Sequence, residues 1–281
     1  MSAYVYLEHL NEADLALLAA AECDSVDGLL SRLRATPGLL EGILSRPTLY
    51  QMLFGAGPEE ALLRSSAFLA FAVMVHRAAH DLTRAPLVHE WIGPGRRVPM
   101  FEVVPIRDFA SDLGRRLFLA ELLASYTHVA SGSMWIRTDR GWHRRRFSEL
   151  DPLRLIELLD VVPEGERPAV YRRLGDLALF LTGVFPDYAG GRVLPLRQRR
   201  RLQHFLPPAS TEPKTLDDIS LLEEVGRRAY LTAGRAAEAY GAPSDLVHLA
   251  QEFGYARRML NFLTDSYLFP VRTRWFPMGD G

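Results

Sequence analysis

A chain of 281 residues with 48% hydrophobic, 24% charged and 10% aromatic residues has the make-up of a globular protein, long enough for one large core or two modest ones. That composition excludes a disordered, a collagen-like or a disulfide-stapled chain. The net charge of −1 gives no whole-molecule pull toward an acidic partner.

Helical patterns dominate. Asn11 is placed to cap a short helix through Ala20, and Ser25 another through about Arg34. Pro37 and Pro47 each stand where a helix can begin. The break Gly55-Ala56-Gly57-Pro58 precedes a long helix predicted from Pro58 to about Thr83, with Phe68, Phe71, Ala72, Val75 and Ala79 at helical spacing. Gly93-Pro94-Gly95 is a turn, and 98–105 reads as an extended edge segment because two prolines interrupt it. A helix is predicted from about Ile106 to Val129. Two runs rich in strand formers flank Asp139-Arg140-Gly141 and read as a β-hairpin near 134–147, the one convincing β element.

Asp151-Pro152 opens a helix through about Val161, and Arg167-Pro168 one through about Val184. Residues 187–192 read as a loop, and 194–206 as a very basic helix. Pro207, Pro208 and Pro213 mark a linker. Two long helices close the chain, from Thr215 to about Tyr240 and from Ser244 to about Leu268, and their short connection implies antiparallel neighbours. The predicted fold is therefore all-α and bundle-like, a single domain with one small β-hairpin. Residues 1–206 form its main body, and 215–268 a helical pair packed on it.

Only Lys214 among the 33 basic residues is a lysine, and asparagine occurs only at 11 and 261. GC-rich codon usage accounts for this better than adaptation to heat, which raises lysine and glutamate together. The single cysteine, Cys23, excludes an internal disulfide and a thiolate metal cluster, and its neighbours Glu22 and Asp24 disfavour a thiolate. The N-terminus has no basic or long apolar segment, and the most apolar stretch, 65–75, is far shorter than the roughly 20 residues that span a bilayer. A cytoplasmic protein without membrane contact is expected.

Four features bear on chemistry. His76 and His80 are four apart on one helix face, a spacing that can share a metal, with Asp81, His89, Glu90 and His128 as further ligand types; core or surface histidines are the competing reading. Arg199 and His204 are separated by four residues, which resembles the pattern of the HEPN class of helical ribonucleases. That resemblance implies an arginine stabilising phosphate charge and a histidine in acid–base chemistry. No second resemblance along the chain accompanies it. Asp176 lies in an apolar helical face within reach of Arg172 and Arg173, as a structural ion pair or a general acid with a raised pKa; Gly175 and Gly183 permit close helix approach.

The fourth feature is charge. Residues 136–150 carry +3 and residues 190–206 carry +5, which leaves the rest of the chain at −9. In the predicted hairpin Trp135 and Trp142 interleave with Arg137, Arg140, Arg144, Arg145 and Arg146, while Arg197, Arg199, Arg200 and Arg201 load the basic helix. These residues are the candidate binding set. The first expectation is a non-enzymatic helical interaction or scaffold protein, homo-oligomeric, docking itself or another protein through the hairpin and basic helix. RNA or single-stranded DNA binding through 137–146 and 192–201 is the alternative. A helical hydrolase, metal-dependent at His76 and His80 or ribonucleolytic at Arg199 and His204, is the third. No catalytic residue, metal ligand or cofactor is assigned, and whether the chain is an enzyme stays open.

Overall fold

The computed structural model describes residues 4–55, 62, 64–93, 95–127, 131–138, 141–148, 150–191, 196–206, 216–241, 244–268 and 275–276; at 4, 131–138, 141–148, 188, 190–191 and 196–198 it describes the backbone alone. The fold is all-α with small β-hairpins. Its backbone gathers into two compact units, Met1–Val88 with Pro99–Thr127 and Phe262–Gly281, and His89–Val98 with His128–Asn261. Among the described residues no helix is long and apolar enough to cross a membrane. The predicted 207–214 linker lies outside the described residues.

The first unit holds α1 (Tyr4–Glu8), α2 (Glu12–Ala21), α3 (Val26–Ala35), α4 (Leu39–Leu44), α5 (Pro47–Phe54), α6 (Ala67–Leu82), α7 (Val104–Ser111) and α8 (Leu113–Ser125). Asn11 starts α2 as predicted: its Oδ1 accepts from Asp14 N at 2.8 Å, and the Asp14 carboxylate accepts from Asn11 N at 3.1 Å. Ser25 caps α3 and Pro47 opens α5. The helix expected at Pro37 starts two residues later, at Leu39, because Gly38 takes a left-handed φ of 81° first.

Helix α6 is the centre of this unit. Every residue from Phe68 to Val75 is buried, the pattern of a helix apolar on all sides. Helices α4, α5, α7 and α8 surround it. Phe276 stacks on Phe71 at 5.6 Å and so joins the same core. The helix was expected from Pro58, which lies outside the described residues. The described helix begins at Ala67, where Ser66 Oγ accepts from Leu69 N at 3.0 Å. The single helix expected from Ile106 to Val129 is broken in two at Asp112. Its carboxylate accepts from Arg115 N at 2.9 Å and so competes with the helical ladder.

The second unit contains β1 (Val88–Gly93) and β2 (Arg96–Met100) over residues 89–98, then β3 (Ser131–Thr138), β4 (Gly141–Ser148), α9 (Pro152–Leu159), α10 (Arg167–Val184), α11 (Pro186–Gly191), α12 (Leu196–Phe205), α13 (Asp218–Ala239), α14 (Leu246–Gln251) and α15 (Phe253–Leu263) up to Asn261. Hairpin β3–β4 is where the sequence puts it. The pair β1–β2 is a correction: the extended stretch 98–105 is instead strand 96–100, paired with a partner the sequence does not announce. A carboxylate explains the turn. Asp187 Oδ1 accepts from Trp91 Nε1 at 2.7 Å and from Gly95 N at 2.9 Å, and these bonds hold its pKa below the ordinary value against the opposing effect of burial.

Three boundaries differ from expectation in this half of the chain. The loop at 187–192 is the short helix α11, opened by Pro186. Helix α13 starts at Asp218 because Asp217 caps it, accepting from Ser220 N at 2.8 Å. The helix expected from Ser244 to Leu268 is α14 and α15 divided at Glu252, followed by a π-helical turn at Thr264–Leu268.

Helices α10 and α13 form the main packing pair of this unit, and glycine sets their approach. A Cβ on Gly175 would stand 2.4 Å from Cδ1 of Tyr230. The Tyr230 ring is fully buried and its hydroxyl donates to Asp176 Oδ1 at 2.8 Å, so it has no room to yield. Alanine gains about 1 kcal/mol of helix propensity over glycine, whereas overpacking a rigid contact costs about 3 kcal/mol. Gly175→Ala is therefore expected to lower stability by about 2 kcal/mol in urea denaturation. An unchanged midpoint would show that the helices can part at no cost.

Candidate functional site

The middle of α6 places His76 on its buried side and His80 one turn on, at the surface. Both line one cavity of about 230 Å³, together with Thr83, Arg107 and Arg116. Arg116 Nη1 donates to His76 Nδ1 at 3.2 Å, because a guanidinium has no acceptor. The ring proton therefore sits on Nε2 and goes to Tyr6 Oη at 2.9 Å. Tyr6 in turn donates to the carbonyl of Leu113 at 3.5 Å. Burial, and then the Arg116 charge, lower the His76 pKa from 6.5 to about 3, so the ring is neutral. Burial also pushes the Tyr6 phenol well above its ordinary range.

This geometry bears on the metal reading of His76 and His80. The ring offers no free lone pair to an ion: Nδ1 accepts from Arg116, and Nε2 carries the proton directed at Tyr6. Asp81 pairs with Arg77 at 3.0 Å and accepts from Tyr267 Oη. Glu90 is taken by Arg257 and Arg258. His89 is exposed, and His128 lies outside the described residues. Among the described residues no three His, Cys, Asp or Glu side chains converge as a metal site.

Four residues at this centre escaped the sequence reading: Tyr6, Glu41, Arg107 and Arg116. They come from α1, α4, α7 and α8, and no local spacing links them. The one available sign was a histidine directly after the apolar run 65–75 on the same helix, where burial requires partners.

The register of β3 and β4 organises the first basic run. Trp135 stands opposite Arg144, Arg137 opposite Trp142 and Ser133 opposite Arg146. Opposed residues share a face, so Trp135, Arg137, Trp142, Arg144 and Arg146 lie on one side of the ribbon. Met134, Ile136, His143, Arg145 and Phe147 lie on the other. Arg140 is outside the described residues.

The second basic run lies on α12. Arg199 Nη1 donates to the buried Asp218 at 3.0 Å, and Arg201 Nη1 donates to Glu157 at 2.6 Å. Arg200 and His204 are exposed, and only the backbone of Arg197 is described. Residues five apart on a helix are about 140° apart around its axis. Arg199 thus turns toward the helices it packs on, and His204 toward solvent. Asp176 accepts from Tyr230, a partner from α13 that the sequence did not suggest, while Arg172 is exposed. Cys23 is exposed, with a φ of 54°. No known protein family, curated protein or solved structure matches this chain, so its own geometry carries the functional reading.

Proposed function

We propose that this chain is a non-enzymatic helical interaction protein that associates with a second copy of itself through the Arg-rich hairpin, with α12 as a further docking element. The observation that carries the reading is the register that gathers Trp135, Arg137, Trp142, Arg144 and Arg146 on one face of a ribbon that, among the described residues, has two strands. Tryptophan and arginine dominate the energetics of protein interfaces. A two-stranded ribbon alone is marginal in water and gains from being covered. Outside its two basic runs the chain carries −9, so a second copy supplies acids to meet the arginines.

The same face favours one other reading, RNA or single-stranded DNA binding, since aromatic rings stack on bases while guanidinium groups hold phosphates. Arg199 and Arg201 are already paired with carboxylates of the same chain, which weighs against phosphate contacts from α12. Light scattering on size-exclusion fractions at micromolar concentration is expected to give an oligomer. The triple variant Arg144→Glu, Arg145→Glu, Arg146→Glu is expected to give a monomer of unchanged helicity. A monomeric parent protein overturns the proposal. A monomer that shifts RNA at low salt and releases it as salt rises establishes the other reading instead.

A further inference from the structure

The cavity beside His76 involves none of the hairpin's residues. Two guanidinium groups line it, Arg107 from α7 and Arg116 from α8. Arg107 is held by main-chain carbonyls: its Nε donates to Leu82 O at 2.9 Å and its Nη2 to Ala85 O at 2.6 Å. The first is the last carbonyl of α6, where a cation is welcome. Its Nη1 has no partner among the described residues, and no carboxylate among them pairs with it. Arg116 pairs with Glu41 at 3.1 Å and donates to His76, yet its buried Nε has no acceptor.

The charge balance follows from these contacts. Two cations meet one carboxylate, and His76 contributes no charge because Arg116 occupies its Nδ1. The lining is therefore net positive inside a partly enclosed space, where charge-assisted bonds are stronger than in water. Both guanidinium groups are fixed in place before any ligand arrives, so little side-chain entropy is lost on binding. The volume of about 230 Å³ equals the share of liquid held by about eight waters. That is room for a small organic acid or a phosphate ester and too little for a nucleotide.

We infer that this cavity binds a small oxyanion-bearing ligand, its carboxylate or phosphate held between Arg107 and Arg116. His80, which is exposed and whose ring has no partner among the described residues, meets the outer end of the ligand. The neutral His76 serves as a positioning residue: it accepts from Arg116 and keeps that guanidinium aimed, and it does not touch the anion as a cation.

The test uses the full chain at constant ionic strength set with chloride. Inorganic phosphate and acetate are titrated separately by calorimetry, with the melting temperature followed in parallel. Saturable binding of either anion above the chloride background is expected, and which one binds more tightly distinguishes phosphate from carboxylate ligands. Arg107→Gln is expected to weaken binding at least about tenfold, the loss of a charge-assisted bond. Should Arg107→Gln not fold, Arg107→Lys keeps the charge without the planar fork and is expected to weaken binding in a protein of normal helicity. His80→Ala is expected to weaken it about twofold to threefold, since a rim group contributes little. No saturable binding of phosphate or acetate, or binding unaffected by both Arg107 substitutions, overturns the inference. The oligomeric state of the hairpin variant is unaffected by either result.

Discussion

Taking the protein from about pH 7 to about pH 4 is expected to remove about 3 kcal/mol of stability, and His76→Gln is expected to abolish most of that loss. In the folded chain the His76 pKa is lowered from 6.5 to about 3. The unfolded chain therefore takes up a proton below about pH 6.5 that the folded chain refuses. Stability falls as the pH drops through that window and levels off below about pH 3. The groups facing the ring set this behaviour: Arg116 from α8, itself pinned by Glu41 of α4, and Tyr6 of α1. None of them offers a carboxylate to a protonated imidazole, and Arg116 repels one. Glutamine reproduces the neutral ring's pattern, with an oxygen to accept from Arg116 and an amide to donate to Tyr6, but does not titrate. Urea midpoints measured across this range give the result. Parallel pH profiles for the two proteins would mean that the ring opens to water before it titrates.

The second large effect is expected at Arg257. Its side chain is only 7% exposed, and it donates to Glu90 at 2.5 Å and to Glu223 at 3.0 Å, two carboxylates that are themselves 17% and 21% exposed. Removing one member of a buried ion cluster leaves the others charged and dry, which costs more than the cluster contributes. Arg257→Met, similar in length and apolar, is expected to lower stability by about 3 kcal/mol. Arg258→Met is expected to cost under about 1 kcal/mol, because Arg258 is more exposed and Glu90 keeps Arg257. Adding Glu223→Gln to Arg257→Met is expected to restore most of the loss, because Glu90 keeps Arg258 and the carboxylate left without its guanidinium is then neutral. Urea denaturation of the set decides it. Equal losses for both arginine variants would show that the cluster is open to water.

The contrast between these two sites explains what the sequence makes legible. Elements were readable where one short stretch decides the outcome: the cap at Asn11, the opening prolines at Pro47 and Pro168, the hairpin around Gly141. Boundaries failed where a side chain of the other kind competed, as at Asp112, which ends one helix and starts another. The strand Val88–Gly93 was unreadable because the group that fixes its turn, Asp187, lies far along the chain. The candidate sites divide in the same way. His76 and His80 were singled out by their spacing, and the structure does bring them to one cavity. The spacing said nothing of Arg116 and Tyr6, which decide the ring's protonation. Charge runs were visible as totals, but the carboxylates that meet Arg199 and Arg201 come from α13 and α9 and could not be counted in advance.

Both asparagines of the chain are spent at helix ends. Asn11 closes the start of α2, and Asn261 donates through Nδ2 to the carbonyls of Thr182 and Gly183 at the end of α10. Neither is followed by glycine, the neighbour that most favours succinimide formation. Asn261 is moreover locked in a helix and gripped by Arg257, so the next backbone nitrogen is poorly placed to attack it. The chain thus offers few points at which slow deamidation can begin, and its chemical ageing in storage should proceed mainly at other residue types.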